Sequence, residues 1–295
     1  MGDAEPVILD RIPSGSIALD AALGGGYPRG RVVEIFGPEA SGKTTLCLHI
    51  LANAQALGLQ CAFVDAEHSL DLTYAKALGV DVDGLYLSQP DHGEQALEIT
   101  DQLIQSTEIG VVIVDSVAAL TPRAELEGQM GDQFVGLQPR MMGQALRKLV
   151  GHVHMTNTLL VFTNQVRMKV GVMFGSPETT PGGRALPFFA SQRLNVRRLS
   201  TEGKPGDRTH NRVKVKVVKN KVGVPYRECE FDIEFGTGIS REGSVLDFAE
   251  PIGVVSKKGA WYYFGDARLG QGREAAKEML RDNPELLEEI ERLCL

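Results

Sequence analysis

The chain alternates between two hydrophobic periods. Short runs of apolar, largely β-branched residues recur as VVEIF (32–36), CAFVDA (61–66), LYLSQ (85–89), VVIVDS (111–116) and LLVFTNQ (159–165). Near-continuous apolar runs of this length suit strands buried on both faces of a sheet. Between most of them lie segments with helical spacing, such as TTLCLHILANAQAL (44–57) and GEQALEITDQLIQS (93–106). This alternation predicts an α/β fold with a mainly parallel sheet and helices on both faces. Upstream, SGSIALDAALGGGYPRG reads as a small helix ended by glycines. Beyond residue 193 the pattern changes. RLNVRRLS, RVKVKVVKNK and ECEFDIEF are joined by turns, with no long helix between, and predict an antiparallel extension of the sheet. Residues 241–295 read as a small α+β unit: a helix near SVLDFAE, a hairpin around KKGAWYYFG, and helices in REAAKEML and PELLEEIERL. The expected division is a core over 1–240 and a small C-terminal domain over 241–295.

One stretch follows neither period. NQVRMKVGVMFGSPETTPGGRALPFFASQR (164–193) joins two strand-like runs through Gly, Pro, Ser and Thr, basic at both ends and apolar in the middle. Loops longer than about 12–15 residues are uncommon in compact domains and are usually functional or disordered.

Composition narrows the class. Of 295 residues, 43% are apolar and 23% charged, a globular balance. No apolar run is long enough for a membrane span and the first residues lack a basic-then-apolar signal, so a cytoplasmic location is the default expectation. Cys47, Cys61, Cys229 and Cys294 are scattered without metal spacing and read as reduced thiols. The net charge of −7 hides an asymmetry: residues 134–221 hold 16 Lys+Arg against 3 acids, a net +13, so the remainder carries −20. That asymmetry points to a polyanion partner, unless the charges are spread around the fold and cancel locally.

The sharpest motif is GPEASGKT at Gly37, Pro38, Glu39, Ala40, Ser41, Gly42, Lys43 and Thr44, directly after VVEIF and opening a helical segment. It fits G-x-x-x-x-G-K-[ST] in the context a phosphate-binding loop requires. Glycines let the backbone aim N–H groups at phosphate oxygens, and the helix N-terminus adds positive field. In this reading Lys43 reaches the β- and γ-phosphates, and Thr44 ligates Mg²⁺. Asp115, ending VVIVDS, suits an acid that holds the metal through water. Glu67 lies just past another strand, where catalytic groups of open α/β sheets gather; an exposed loop carboxylate is the bland alternative. Gln165 closes LLVFTNQ at the mouth of the long loop. His152 and His154, two apart on an expected helix, point to different sides and read as surface residues. Met141 and Met142 read as packing residues, and Trp261, Tyr262 and Tyr263 as the core of a hairpin more readily than as a base-stacking platform.

GPEASGKTT, FVDAEHSLD, VVIVDSVAALTP, GLQPRMMGQALRK, NQVRMKVGVMFGSPETTPGG and VKVVKNK, in this order, resemble the bacterial RecA recombinase family. The resemblance runs from about Ile12 through GAWYYFGDARLGQG and DNPE. It implies a RecA-type ATPase core, with Thr45 added to the nucleotide site and Asp71 and Tyr74 against the adenine. It implies that Glu67 activates water, that Gln165 links the γ-phosphate to the long loop, and that Lys219 and Lys221 reach the ATP of a neighbouring subunit, with Phe188 at the subunit boundary. The long loop becomes the second DNA-binding loop, and EGQMGDQFVG the first. Val170 would wedge between nucleotide triplets. Arg140, Arg147, Arg167, Lys169, Gly182, Gly183 and Arg184 would meet the DNA backbone, and Lys257, Lys258 and Arg273 would gather duplex. The implied activity is a DNA-dependent ATPase that coats single-stranded DNA and promotes pairing and strand exchange with a homologous duplex. A RecA-like regulator that joins or caps filaments is the alternative. Departures from the family pattern are Phe134-Val135 for His-Met, Arg184 for Asn, and Pro187 for Lys, the last removing a charge and a backbone donor from the second loop. RecA chains usually start earlier, with a helix and strand that dock on the next subunit, and end in a long acidic tail. Self-association into filaments is therefore expected to be weakened here, with other recombinase subunits as further partners.

Overall fold

The computed structural model describes residues 9–168, 178–204 and 206–295. A two-stranded ribbon, β1 (Arg11–Ile12) and β2 (Tyr27–Pro28), encloses α1 (Ile17–Leu23). The alternation then runs β3 (Val32–Gly37), α2 (Lys43–Ala56), β4 (Gln60–Asp65), α3 (Leu72–Ala77), β5 (Leu85–Ser88), α4 (Gly93–Gln105), β6 (Ile109–Asp115), α5 (Arg123–Glu127), α6 (Leu137–Thr156) and β7 (Leu159–Gln165). Next come β8 (Arg167–Met168), β9 (Glu178–Thr179) and α7 (Ala185–Phe189), then β10 (Gln192–Lys204), β11 (Asp207–Asn220), β12 (Glu228–Glu234) and β13 (Gly238–Ile239). The chain closes with α8 (Arg241–Ala249), β14 (Ser256–Lys258), β15 (Trp261–Phe264), β16 (Ala267–Gln271), α9 (Arg273–Asp282) and α10 (Pro284–Cys294).

Nine strands form one sheet in the order β13-β12-β11-β10-β3-β7-β6-β4-β5. From β10 to β5 every pairing is parallel, and from β10 to β13 every pairing is antiparallel. Both the parallel core and its antiparallel extension match the sequence pattern. Successive strand residues point to opposite faces. Val33, Ile35, Val111 and Ile113 therefore meet α2 and α3 on one side, while Val32, Val112 and Val114 meet α4 and α6 on the other. α2 lies deep, with Leu46, Cys47, Leu48, Ile50 and Leu51 all fully buried, so apolar residues surround it rather than forming a stripe.

The C-terminal unit packs its own cluster of Val245, Leu246, Tyr262, Leu269, Leu280 and Ile290, joined by Ile17 from α1. The expected hairpin is a three-stranded sheet, β14-β15-β16, because ARLGQ pairs antiparallel with the far side of β15. Its one inward residue, Leu269, is too weak a pattern to read as a strand. Three further elements, all in the long connection, escaped the pattern. They are β8 and β9, paired antiparallel through Arg167 with Thr179 and Met168 with Glu178, and the short helix α7. Among the described residues no helix is long and apolar enough to cross a membrane.

Candidate active site

The loop between β3 and α2 is shaped by glycine at two points, for two reasons. A Cβ on Gly37 would lie 2.1 Å from the Val196 carbonyl oxygen, so β3 runs too close to β10 for any side chain there. Gly42, with φ +97°, is the N-cap of α2, and a Cβ on it would meet Ile233 at 2.5 Å. Pro38, Glu39 and Ala40 are exposed, whereas Ser41 is buried with its Oγ lacking a hydrogen-bond partner. Lys43 Nζ folds back onto the loop, donating to the carbonyls of Gly37 (3.2 Å) and Pro38 (2.8 Å). Its ammonium is held below the usual lysine range by burial, opposed by the charges of Asp115 and Glu67. An unpartnered hydroxyl and a desolvated ammonium that borrows backbone carbonyls both fit an anion in this cradle.

Asp115 ends β6 beside the cradle. Its carboxylate accepts from Thr163 Oγ1 (2.5 Å) on β7 and from Thr44 Oγ1 (2.9 Å) on α2. Burial raises its pKa first, the two hydroxyls oppose that, and Glu67 and Asp65 raise it further. A cation between Thr44 and Asp115 would relieve this cost. Among the described residues no group of three or more His, Cys, Asp or Glu could hold a metal, so Thr44 and Asp115 would leave most of a cation's shell to water and phosphate oxygens. Glu67 is exposed just past β4 and accepts from Ser116 Oγ. The turn that carries it is fixed by Asp65, which is buried, is the register partner of Asp115, and accepts from the backbone of Ser69 and Leu70 and from Gln89. Tyr74 OH lies 3.2 Å from Thr45 Oγ1, in the first turn of α2. Asp71 caps α3, accepting from the N–H groups of Thr73 and Tyr74.

Gln165 is the register partner of Gly37, so the end of β7 lies directly beside the start of the cradle. Past it, Arg167 is exposed on β8, while Lys169 and Val170 lie outside the described residues. Gly182 and Gly183 have φ of +83° and +79°. A Cβ on Gly182 would meet Val117 at 2.7 Å and one on Gly183 would meet Pro139 at 2.9 Å, so both let the chain pack closely against its neighbours. Gly182 is buried, and its close packing is a structural role that the reading of it as a backbone contact for DNA did not include. Arg140 and Arg147 are both exposed on α6, and Arg184 is exposed at the start of α7.

The RecA N-terminal domain model matches residues 1–240, and the RecA C-terminal domain model matches residues 243–294. The chain belongs to the RecA family. It is 59% identical over 292 residues to Protein RecA of Halalkalibacterium halodurans, covering 99% of this chain and 84% of that one. It is 58% identical over 295 residues to Protein RecA of Chloroflexus aurantiacus, covering 99% and 84%. With Protein RecA of Tropheryma whipplei the identity is 59% over 292 residues, covering 99% of this chain and 67% of the relative. RecA membership makes the chain a recombinase of DNA repair and brings nucleotide binding, DNA binding and filament formation with it. The similarity spans nearly the whole chain and leaves the reading as a non-catalytic regulator without support.

The remaining RecA-type positions fall on two surfaces, with one exception. Lys219 Nζ donates to the carbonyls of Pro187 (2.7 Å) and Phe188 (2.8 Å) at the end of α7. Lys221 Nζ reaches Phe188 O at 3.4 Å and sits 5.8 Å from the centre of its ring. Phe188 is 69% exposed and stands edge-on to Phe189. Burial, then the charges of Lys221 and Arg193, lower Lys219 to about 8. Pro187 lies in the first turn of α7, where its missing N–H breaks no helical bond, so the change from Lys costs the charge but not the helix. The exception is Arg273. Its guanidinium is committed to Asp247 (2.8 and 2.9 Å) and Asp232 (2.5 Å), which ties α9 to α8 and β12 rather than leaving it for duplex DNA. Lys257 and Lys258 are exposed on β14, over Tyr262 and Tyr263. Tyr262 is buried as expected, and Trp261 stacks with Arg268. His152 is half-buried against Asp101 (2.6 Å) instead of lying free on the surface, and His154 contacts Arg31 (3.0 Å). Sequence reasoning missed Asp65, Ser116, Thr163 and Asn164. Asp65 left a signal, since two neighbouring strands both end in Asp.

Proposed function

We propose that the chain is a DNA-dependent ATPase using ATP and Mg²⁺ to bind single-stranded DNA and to promote homologous pairing and strand exchange. The observation that carries this reading is the pairing of Gly37 with Gln165: the phosphate cradle and the root of the second loop are adjacent residues of neighbouring strands. In this reading Lys43 leaves the carbonyls of Gly37 and Pro38 for the β- and γ-phosphates, and the loop N–H groups complete the cradle. Thr44 and Asp115 hold Mg²⁺, which supplies charge neutralisation at the phosphates. Asp71 and Tyr74 flank the base. Glu67, oriented by Ser116, takes the proton of the attacking water. Gln165 bonds the γ-phosphate and sets the order of the second loop, so that nucleotide state controls DNA affinity. Arg140, Arg147, Arg167, Lys169 and Arg184 contact phosphates, and Val170 separates base triplets.

Lys219 and Lys221, presented with Phe188 on one surface, reach the nucleotide of the next subunit. A cation supplied in trans can be worth about 10³–10⁵ in rate. Hydrolysis thereby becomes a property of the assembled filament on DNA, in a cytoplasmic protein with DNA and its own copies as partners.

The test is Glu67→Gln, which keeps size and hydrogen bonding but removes the base. The variant is expected to bind ATP with the parent's affinity and to lose DNA-stimulated turnover by about 10²-fold or more. Turnover at the parent's rate would show that another group activates the water.

A further inference from the structure

A chain of polar contacts runs from the end of the second loop to Arg193, the cross-strand neighbour of Lys219, through residues that the mechanism above does not use. Glu34 lies on β3 with no exposure, and a carboxylate there is costly unless fully partnered. Arg193 on β10 supplies the partner: its Nε is 2.5 Å from Glu34 Oε2 and its guanidinium lies 4.7 Å from the centre of the Phe36 ring. Asn164, also fully buried, supplies the second donor. Its Nδ2 bonds both Glu34 Oε1 (3.1 Å) and the carbonyl of Pro181 (3.1 Å), and its Oδ1 accepts from the backbone N–H of Gln165 (3.0 Å). One amide thus holds three things together: the strand that enters the phosphate cradle, the far end of the second loop, and Gln165.

The register places this amide one step from the cradle. Phe36 pairs with Asn164, and the next pair is Gly37 with Gln165. On the other side Arg193 pairs with Lys219 across β10 and β11. The Arg193 charge opposes protonation of Lys219 and the Glu34 charge favours it. We propose that Asn164, Glu34 and Arg193 are positioning residues that couple the second loop to Lys219, so that ordering of the loop on DNA sets the placement of the cation offered to the neighbouring nucleotide. The inference rests on the DNA-dependent ATPase reading and deepens it. Displacing Pro181 leaves one N–H of the buried Asn164 amide unpaired, and an amide that turns to pair it lets go of Glu34 Oε1. That makes the set responsive to the loop without touching nucleotide or DNA.

Two variants test it. Asn164→Ala removes the bridge to Pro181. Glu34→Gln with Arg193→Met removes both charges at once, so no uncompensated buried charge remains. Three quantities are read in the 295-residue chain: affinity for a fluorescent ATP analogue, turnover without DNA, and the fold-stimulation by single-stranded DNA. Both variants are expected to keep the first two within about threefold of the parent and to lose about tenfold or more of the stimulation. Unchanged stimulation, or a proportional fall in all three quantities, would overturn the proposal. If the paired variant fails to fold, Asn164→Ala decides alone; loss of the fold in both would assign the set to stability and overturn it as well. A parent chain that DNA does not stimulate would instead sink the ATPase reading itself.

Discussion

Lys219 shows how a single side chain can carry a pH response. Burial and two neighbouring cations bring its pKa down to about 8, so its charge is mostly present at neutral pH and is lost as pH rises through that value. If this charge serves the neighbouring nucleotide, DNA-stimulated turnover should decline above about pH 8, and Lys219→Arg should flatten the decline because a guanidinium stays ionised throughout. A pH–rate profile of both proteins checks this, and parallel profiles would remove Lys219 from the reaction. At this scale the sequence was informative where a motif and a strand end coincided: Lys43, Thr44 and Asp115 come together as the motif requires. It was silent on Thr163, Ser116 and Asn164. Their roles come from cross-strand register and side-chain reach, which no spacing along the chain encodes.

Elements were legible in proportion to their hydrophobic period. The buried strands β3, β4, β6 and β7 announce themselves, and so does the switch to antiparallel pairing after β10. The second loop does not, because β8, β9 and α7 are two to five residues long and are held by contacts from elsewhere. Gly182 is one such contact. Alanine there would take up a left-handed backbone and press its Cβ to within 2.7 Å of Val117, together costing about 2 kcal/mol or more. Gly182→Ala is expected to lower stability in denaturant and weaken single-stranded DNA binding while nucleotide affinity holds. Gly253→Ala is the control, since Gly253 shares the positive φ but has open space around it. Equal losses in the two variants would show that backbone strain alone is at work and that the close packing on Val117 carries nothing.

Across the whole molecule, part of the basic segment is already spoken for. Arg193, Arg212, Lys214 and Lys216 are paired with Glu34, Asp232 and Asp247, and Glu228, acids that lie outside the segment. The +13 read from the sequence therefore overstates the charge offered to a polyanion, which is the local cancellation that composition could not decide. Arg212 and Arg273 spend their charge on joining the C-terminal unit to the sheet, through Asp232 and Asp247. The order of strands has a further consequence, for the time course of synthesis. β3, which feeds the phosphate cradle, is flanked by β7 and β10: Val32 pairs with Leu160, and Val33 with Gln192. Neither flank exists until most of the chain has been made, and pairings this distant in sequence form slowly. A nascent chain thus carries the whole GPEASGKT motif long before it can hold a phosphate. A fragment ending at Ala190 should show no saturable ATP binding in equilibrium dialysis, whereas one ending at Ile239 should; binding by the shorter fragment would mean that β10 is dispensable to the cradle.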